Sequence, residues 1–280
     1  MVSLNNVSFA YGSKKLFNNV SLTINEGKIY GLIGKNGSGK TSLLKIISGL
    51  LFPHSGEAIV LNHKSSDRRP EVASQIFFIP ESFFLPNTTG KMYATLNAPF
   101  YPAFSFDKFN EFSIDNTKLL HTLSFGQKKK FMLAFGFATG AKILIFDEPT
   151  NGLDIPSQKM IRKILADFIN ENRSVIISTH HFRELENIFD EILVLDEGSI
   201  LIQSDINKLT SGIAVKLLPS LEESPEYVIY SEKIPGGYSA LVVDENAQAD
   251  HGVLEYLLNA VLLGDTNTIN YINSKNGGNK

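Results

Sequence analysis

Residues 34–41 read GKNGSGKT, and their flanks settle the architecture. The stretch fits G-x-x-x-x-G-K-[ST]. The compact apolar run KIYGLIG (28–34) leads into it, and KTSLLKIISGL (40–50) leads out with helical periodicity through Leu43, Leu44, Ile46 and Ile47. Strand, glycine loop, helix is the order that phosphate binding requires. Gly34, Gly37 and Gly39 let the backbone curl so that successive N–H groups face inward, and the helix starting near Lys40 offers its positive end to phosphate oxygens. Lys40 is placed to reach the β- and γ-phosphates, and Thr41 to offer its hydroxyl to Mg²⁺. The bland alternative is a glycine turn capping a helix. From average residue usage the bare pattern arises by chance in about one chain in a hundred of this length, before the flanking context is counted.

Elsewhere in the first half, EAIVL (57–61) and SQIFFIP (74–80) read as strands, as do residues 2–9 and 15–24. The second half holds another alternating series: a helix near 124–138, the strand ILIFD (143–147), a helix from Pro156 to Asn170, the strand SVIIST (174–179), a helix from His181 and the strand EILVL (191–195). Strands alternating with helices imply an α/β fold with a doubly wound, mainly parallel sheet. Beyond residue 205 the texture changes to strands at 213–218, 226–231 and 239–243 and helices at 252–263 and 265–272, with NSKNGGNK (273–280) as a frayed tail.

Composition narrows the function. The 280 residues are 43% hydrophobic and 20% charged with a formal net charge of −3, so no basic excess points to nucleic acid. Cysteine is absent, which excludes a disulfide scaffold, a thiol nucleophile and a Cys-ligated zinc site. The six histidines show no HExxH spacing. MVSLNNVSFAYGSKK (1–15) alternates like a strand and lacks the charged and apolar regions of a signal peptide, so secretion is not expected. The longest apolar tract, FMLAFGFATGAKILIF (131–146), falls short of the ~20 residues of a membrane span and is interrupted by Lys142, so any span belongs to another subunit.

Two further stretches carry chemistry. ILIFDEPT (143–150) sets Asp147 at the carboxyl end of a buried strand, where ligands of doubly wound sheets gather; Asp147 can hold Mg²⁺, and Glu148 can orient or deprotonate an attacking water. SVIISTHH (174–181) brings His180 to the end of a neighbouring strand, within reach of a γ-phosphate. Each alone also reads as an ordinary turn or loop. Their order in the chain, together with LSFGQ (123–127) and NGLD (151–154), resembles the ATP-binding subunit of ABC transporters over residues 2 to about 205.

That resemblance implies a P-loop NTPase cassette over residues 1–205, with an N-terminal antiparallel β-subdomain and a small α-helical subdomain at about 82–140, and then a mixed α+β C-terminal extension at 206–272. It implies ATP and Mg²⁺ as ligands. ATP would be bound by Tyr11, stacked on adenine, and by Gly34, Lys35, Asn36, Gly37, Ser38, Gly39, Lys40, Thr41 and Ser42. Lys40, Glu148 and His180 would be catalytic, and Thr41 and Asp147 would serve the metal. The signature Leu123, Ser124, Phe125, Gly126 and Gln127 would face the ATP of another copy, and Asn151, Gly152, Leu153 and Asp154 would form the loop communicating between subunits. Two positions depart from the family pattern. Glu81 stands where a glutamine is usual, adding negative charge and losing a donor, which makes it a candidate metal ligand. Phe125 stands at the first glycine of the signature, whereas Gly126 is kept.

Nine of the 20 phenylalanines fall between residues 77 and 112. They read as the core of the helical subdomain or as a groove for a helix of a membrane partner, with Phe83, Phe84 and Leu85 beside Glu81. Lys128, Lys129 and Lys130 read as a solvated helix face, with a partner or lipid-headgroup contact as the alternative. The resemblance implies an ATPase powering transport, paired with a second copy or a homologous subunit and an integral membrane permease, cytoplasmic and peripheral on the inner membrane face. No nucleic acid partner is expected. The competing class is a soluble ABC-type ATPase acting on ribosomes or DNA; a catalytically dead binding module conflicts with the intact Lys40, Asp147, Glu148 and His180.

Overall fold

Alternating burial along the first two strands, one face packed inward and one wet, is the signature of an antiparallel sheet with one covered side. The computed structural model describes residues 1–112, 114–168, 172–180, 182, 185–221, 227–248 and 250–276. In chain order the first half contains β1 (Val2–Tyr11), β2 (Lys14–Ile24), β3 (Ile29–Ile33), α1 (Lys40–Ile47), β4 (Ser55–Val60), β5 (His63–Lys64), α2 (Pro70–Ala73), β6 (Ile76–Ile79), α3 (Gly90–Asn97), α4 (Phe106–Glu111) and α5 (Phe125–Ala138). The second half contains β7 (Ile143–Asp147), α6 (Ile155–Phe168), β8 (Ser174–Thr179), β9 (Glu191–Asp196), β10 (Ser199–Asp205), α7 (Ile206–Thr210), β11 (Ile213–Leu218), β12 (Val228–Ile234), β13 (Gly237–Val243), α8 (His251–Leu262) and α9 (Thr266–Asn276).

Three sheets organise these elements. The antiparallel sheet has the order β2-β1-β4-β5. The central sheet has the order β10-β9-β3-β8-β7-β6 and is parallel except for β10, which pairs antiparallel with β9. Every residue of β3, β7 and β8 is buried, which is why these strands read as unbroken apolar runs: a parallel sheet is covered on both faces. Register places Ile33 beside Thr179 and Asp147 beside Ser178, so the carboxyl ends of β3, β7 and β8 open on one crevice. The phosphate loop leaves β3 at that crevice.

The helix α5 is buried on every side from Phe131 to Ala138, as a core helix is. Phe135 lies within 5.1–6.3 Å, ring centre to ring centre, of Phe77, Tyr93, Tyr101, Phe104 and Phe109, so part of the phenylalanine cluster is subdomain core. Another part faces outward: Phe84, Phe100 and Phe106 are exposed, with Met92 and Leu96 beside them in the chain. In the last third, β11, β13 and β12 form an antiparallel sheet whose Ile213, Ile229 and Leu241 join the same apolar core as α8 and β9. Among the described residues no helix is long and apolar enough to cross a membrane.

Several expectations need correction. The helix expected from His181 lies partly outside the described residues, and Glu186–Ile188 is a short 3-10 turn. The helix expected to reach Asn170 is described to Phe168, and Asn170 is outside the described residues, as is Glu226, the first residue of the strand expected at 226–231. Strand β10 had no expectation, since Gly198 hides the hairpin between two apolar runs. The reading of 273–280 as frayed is corrected for its first four residues: α9 is helical through Asn276, and 277–280 are outside the described residues.

Candidate functional site

The crevice is a cavity of about 580 Å³ lined by Tyr11, Asn36, Gly37, Gly39, Lys40, Thr41, Ser42, Glu81, Asp147, Glu148, Asn151 and His180. This is the size of a small-molecule site, and its lining is mostly polar and charged. Its floor is the glycine loop between β3 and α1. A Cβ on Gly34 would lie 2.3 Å from the Leu195 carbonyl oxygen, so only glycine fits, and Gly39 caps α1 at φ 106°, a left-handed backbone that glycine adopts at little cost. Ser38 Oγ is buried with no partner in this loop. A polar atom left so is costly, and a ligand oxygen would satisfy it.

Lys40 is buried, and its Nζ donates to the carbonyls of Gly34 (2.8 Å) and Lys35 (3.2 Å), holding the loop closed. Burial pushes its pKa below the usual lysine value, against the pull of Glu148, Asp147 and Glu81. Thr41 Oγ1 donates to Asp147 Oδ2 at 2.6 Å, and Ser178 Oγ donates to Asp147 Oδ1 at 2.5 Å. Thr41 and Asp147 thus converge as hard oxygen donors, the set that suits Mg²⁺. Among the described residues no cluster of three or more His, Asp or Glu would hold a metal unaided, and Mg²⁺ ordinarily takes one or two carboxylates plus phosphates and water.

Glu148, 6% exposed, places Oε1 at 2.8 Å from His180 Nδ1 and 3.9 Å from Lys40 Nζ. Its φ is 49°, a left-handed conformation that costs a non-glycine residue about 1–2 kcal/mol. Its N–H donates to Ser178 O and Oγ, both at 3.1 Å, so the strand end on β8 helps impose the strain. Asn151 Nδ2 donates to Glu81 Oε1 at 3.0 Å. Tyr11 is 52% exposed, with its hydroxyl 3.1 Å from Ser42 Oγ and its ring edge-on to Phe9 at 4.9 Å.

Leu123 to Gln127 do not line this cavity. Leu123 is buried, and Ser124 caps α5: its Oγ accepts from Gln127 N (3.3 Å), while Gln127 Oε1 accepts from Ser124 N (3.0 Å). This is a capping box, a role that the spacing Ser-x-x-Gln signals and that was not among the expectations. A Cβ on Gly126 would find only Leu153 Cδ2 at 3.5 Å, an ordinary contact. Asp154 opens α6, its carbonyl accepting from Gln158 N at 3.0 Å, and Lys35 pairs with Asp196 at 3.5 Å.

The solvated face expected at Lys128–Lys130 is wrong for Lys129. That side chain is 2% exposed, and its Nζ donates to the carbonyls of Glu148 and Asn151, each at 2.7 Å, whereas Lys128 and Lys130 are half-buried. Its spacing from Met132, Leu133 and Gly136 was the signal, since i+3, i+4 and i+7 share one helix face. Ser178, the partner of Asp147, was legible only through β7–β8 register.

The family model described as ABC transporter matches residues 17–151. The ABC transporter ATP-binding protein YtrB of Bacillus subtilis (strain 168) is 29% identical over 241 residues, covering 84% of this chain and 82% of that protein. The lantibiotic transport ATP-binding protein SrtF of Streptococcus pyogenes is 30% identical over 211 residues, covering 73% of this chain and 91% of that one. The ATP-binding cassette MJ0796, solved as a dimer in a post-hydrolysis state bound to ADP and Pi, matches with a TM-score of 0.64 at 26% identity, covering 73% of this chain and 98% of that one. These relatives are transporter subunits, which leaves the ribosome- or DNA-acting alternative without support. The chain therefore belongs to the ABC transporter family, among its ATP-binding subunits.

Proposed function

We propose that this subunit binds ATP with Mg²⁺ in the crevice, hydrolyses it within a dimer, and thereby drives a separate membrane permease. The observation that carries the reading is the convergence of Lys40, Thr41, Asp147, Glu148 and His180 on one cavity floored by a glycine loop.

In this reading Tyr11 supports the adenine. Gly34, Lys35, Asn36, Gly37, Ser38, Gly39 and Ser42 form the cradle whose N–H groups and hydroxyls receive phosphate oxygens. Lys40 trades its carbonyl partners for the β- and γ-phosphates. Thr41 and Asp147, with Glu81 as a further oxygen donor, would hold Mg²⁺, which when bound neutralises phosphate charge. Glu148 orients the attacking water and accepts its proton, and His180, held on Glu148, contacts the γ-phosphate from the far side.

The second half of the site comes from another copy. Nothing among the described residues explains a glycine at 126, where a side chain would fit, and a ligand arriving from outside explains it. Ser124, Phe125, Gly126 and Gln127 at the start of α5, seated on Leu123, would close over the partner's γ-phosphate, with Asn151, Gly152, Leu153 and Asp154 between the two sites. The exposed Phe84, Met92, Leu96 and Phe100, close in sequence to Glu81, suit a helix of the permease, which would keep the subunit peripheral on the inner face of the membrane. Phosphate release by the purified chain in Mg²⁺, ATP-dependent dimerisation by sedimentation, and membrane co-purification with a polytopic protein test the three parts. No turnover, or a chain that stays monomeric with ATP bound, would defeat the reading.

A further inference from the structure

Among the described residues, the proposed ATPase site leaves one buried cation without a role. Lys129, on α5, does not line the cavity, and its Nζ spans the Glu148 and Asn151 carbonyls at 2.7 Å each. The ring of Phe125 lies 5.1 Å from that ammonium and covers it, packing against Gly152, where an added Cβ would meet the ring at 3.2 Å. Asn151 in turn donates to Glu81. Of the two departures from the family pattern, Phe125 therefore touches this lysine and Glu81 reaches it through Asn151.

The strained Glu148 backbone shows what this junction can do. The N–H side of Glu148 is fastened to Ser178, and the carbonyl side is fastened to Lys129, so the left-handed residue is gripped at both ends. Strain of this kind persists only where neighbours over-determine it, and it decides where the side chain points. Here the side chain points to His180 Nδ1.

We infer that Lys129 is a positioning residue for hydrolysis: it holds the Glu148 backbone so that the carboxylate faces the attacking water, and links it through Asn151 and Glu81 to the loop bearing Phe84. This rests on the assignment of Glu148 above. Burial pushes the Lys129 ammonium down to about 8, and Glu81 is the strongest of the carboxylates opposing that shift, ahead of Glu148 and Asp147. Glu81 is thus the main compensating charge for a cation that would otherwise be costly to bury.

The test measures Mg²⁺-ATP turnover, binding of a fluorescent ATP analogue and thermal unfolding on the full chain. Wild type must turn over ATP and Glu148→Gln must not; if either control fails, the ATPase assignment fails, whatever Lys129 does. With the controls met, Lys129→Met should lower kcat at least about tenfold with nucleotide Kd within about threefold, because only the approach to the transition state is lost. Adding Glu81→Gln to Lys129→Met removes a charge left without its partner, so its effect on kcat should be at least about threefold more favourable there than in wild type. Should Lys129→Met not fold, Lys129→Gln, whose neutral amide keeps two N–H donors on a shorter side chain, takes its place with the same expectations. A folded variant with kcat within about twofold of wild type, kcat and Kd worsening together, or an equal effect of Glu81→Gln in both backgrounds would each overturn the inference.

Discussion

Replacing Glu148 by glutamine separates two roles that the geometry combines. The amide has the same shape, so the left-handed backbone and its bonds from Ser178 and Lys129 survive, and folding should be unaffected. Chemistry should suffer: general base catalysis contributes about 10²–10⁴ in rate, equivalent to about 3–5 kcal/mol of barrier. Binding should improve. Oε1 sits 3.9 Å from Lys40 Nζ, so the carboxylate lies beside the seat proposed for phosphate at Lys40. At an effective dielectric near 20, like charges about 4 Å apart cost about 4 kcal/mol, and relief of even a third of that tightens ATP binding about tenfold. The expected signature is a kcat at least about 100-fold lower with Kd about tenfold tighter, read by steady-state phosphate release and by equilibrium binding of a fluorescent ATP analogue. A kcat within about tenfold of wild type, or a Kd weakened by more than about threefold, would refute the assignment of Glu148 as the catalytic carboxylate.

Tyr11→Ala should weaken ATP binding by about 1–3 kcal/mol and leave kcat unchanged, because stacking aids binding rather than chemistry; a fall in kcat with Kd unchanged would contradict this. Ser124→Arg should abolish turnover while the monomer still binds ATP, since the residue is exposed and losing its capping bond costs only about 1 kcal/mol; activity persisting in that variant would argue against a shared site. The buried Lys129, titrating near 8 when folded against 10.5 in the unfolded chain, makes the unfolded state bind more protons between those values. Stability should therefore rise with pH across that window, by up to about 3 kcal/mol, in wild type but not in Lys129→Met, as urea unfolding at several pH values would show. Parallel curves for the two proteins would refute it.

Much of the site was legible because its parts are local. A strand ending in GKNGSGKT and a buried strand ending in Asp147 carry their own geometry, since a parallel sheet aligns the strand ends and delivers the residues just beyond them to one edge. The capping box at Ser124 is equally local, though its polar residues also suit a phosphate approached from outside. The fate of Lys129 was harder. A run of three lysines looks solvated, and nothing adjacent in the chain reveals that the carbonyls of Glu148 and Asn151, 19 and 22 residues away, lie above the helix to receive it.

The order of residues alone was enough for the class of fold, for the glycine loop between β3 and α1 and for Asp147 at the end of β7, because each depends on spacing within a few residues and on periodicity that burial enforces. Packing in three dimensions was needed to show which partners those groups meet: that Glu148 is held left-handed between Ser178 and Lys129, that Glu81 bonds Asn151, and that the aromatic cluster divides between core and surface. The cause is separation along the chain. Hydrogen bonds and desolvation act over a few ångströms, and which distant residues come within that range is set by how the elements pack, not by their order in the chain.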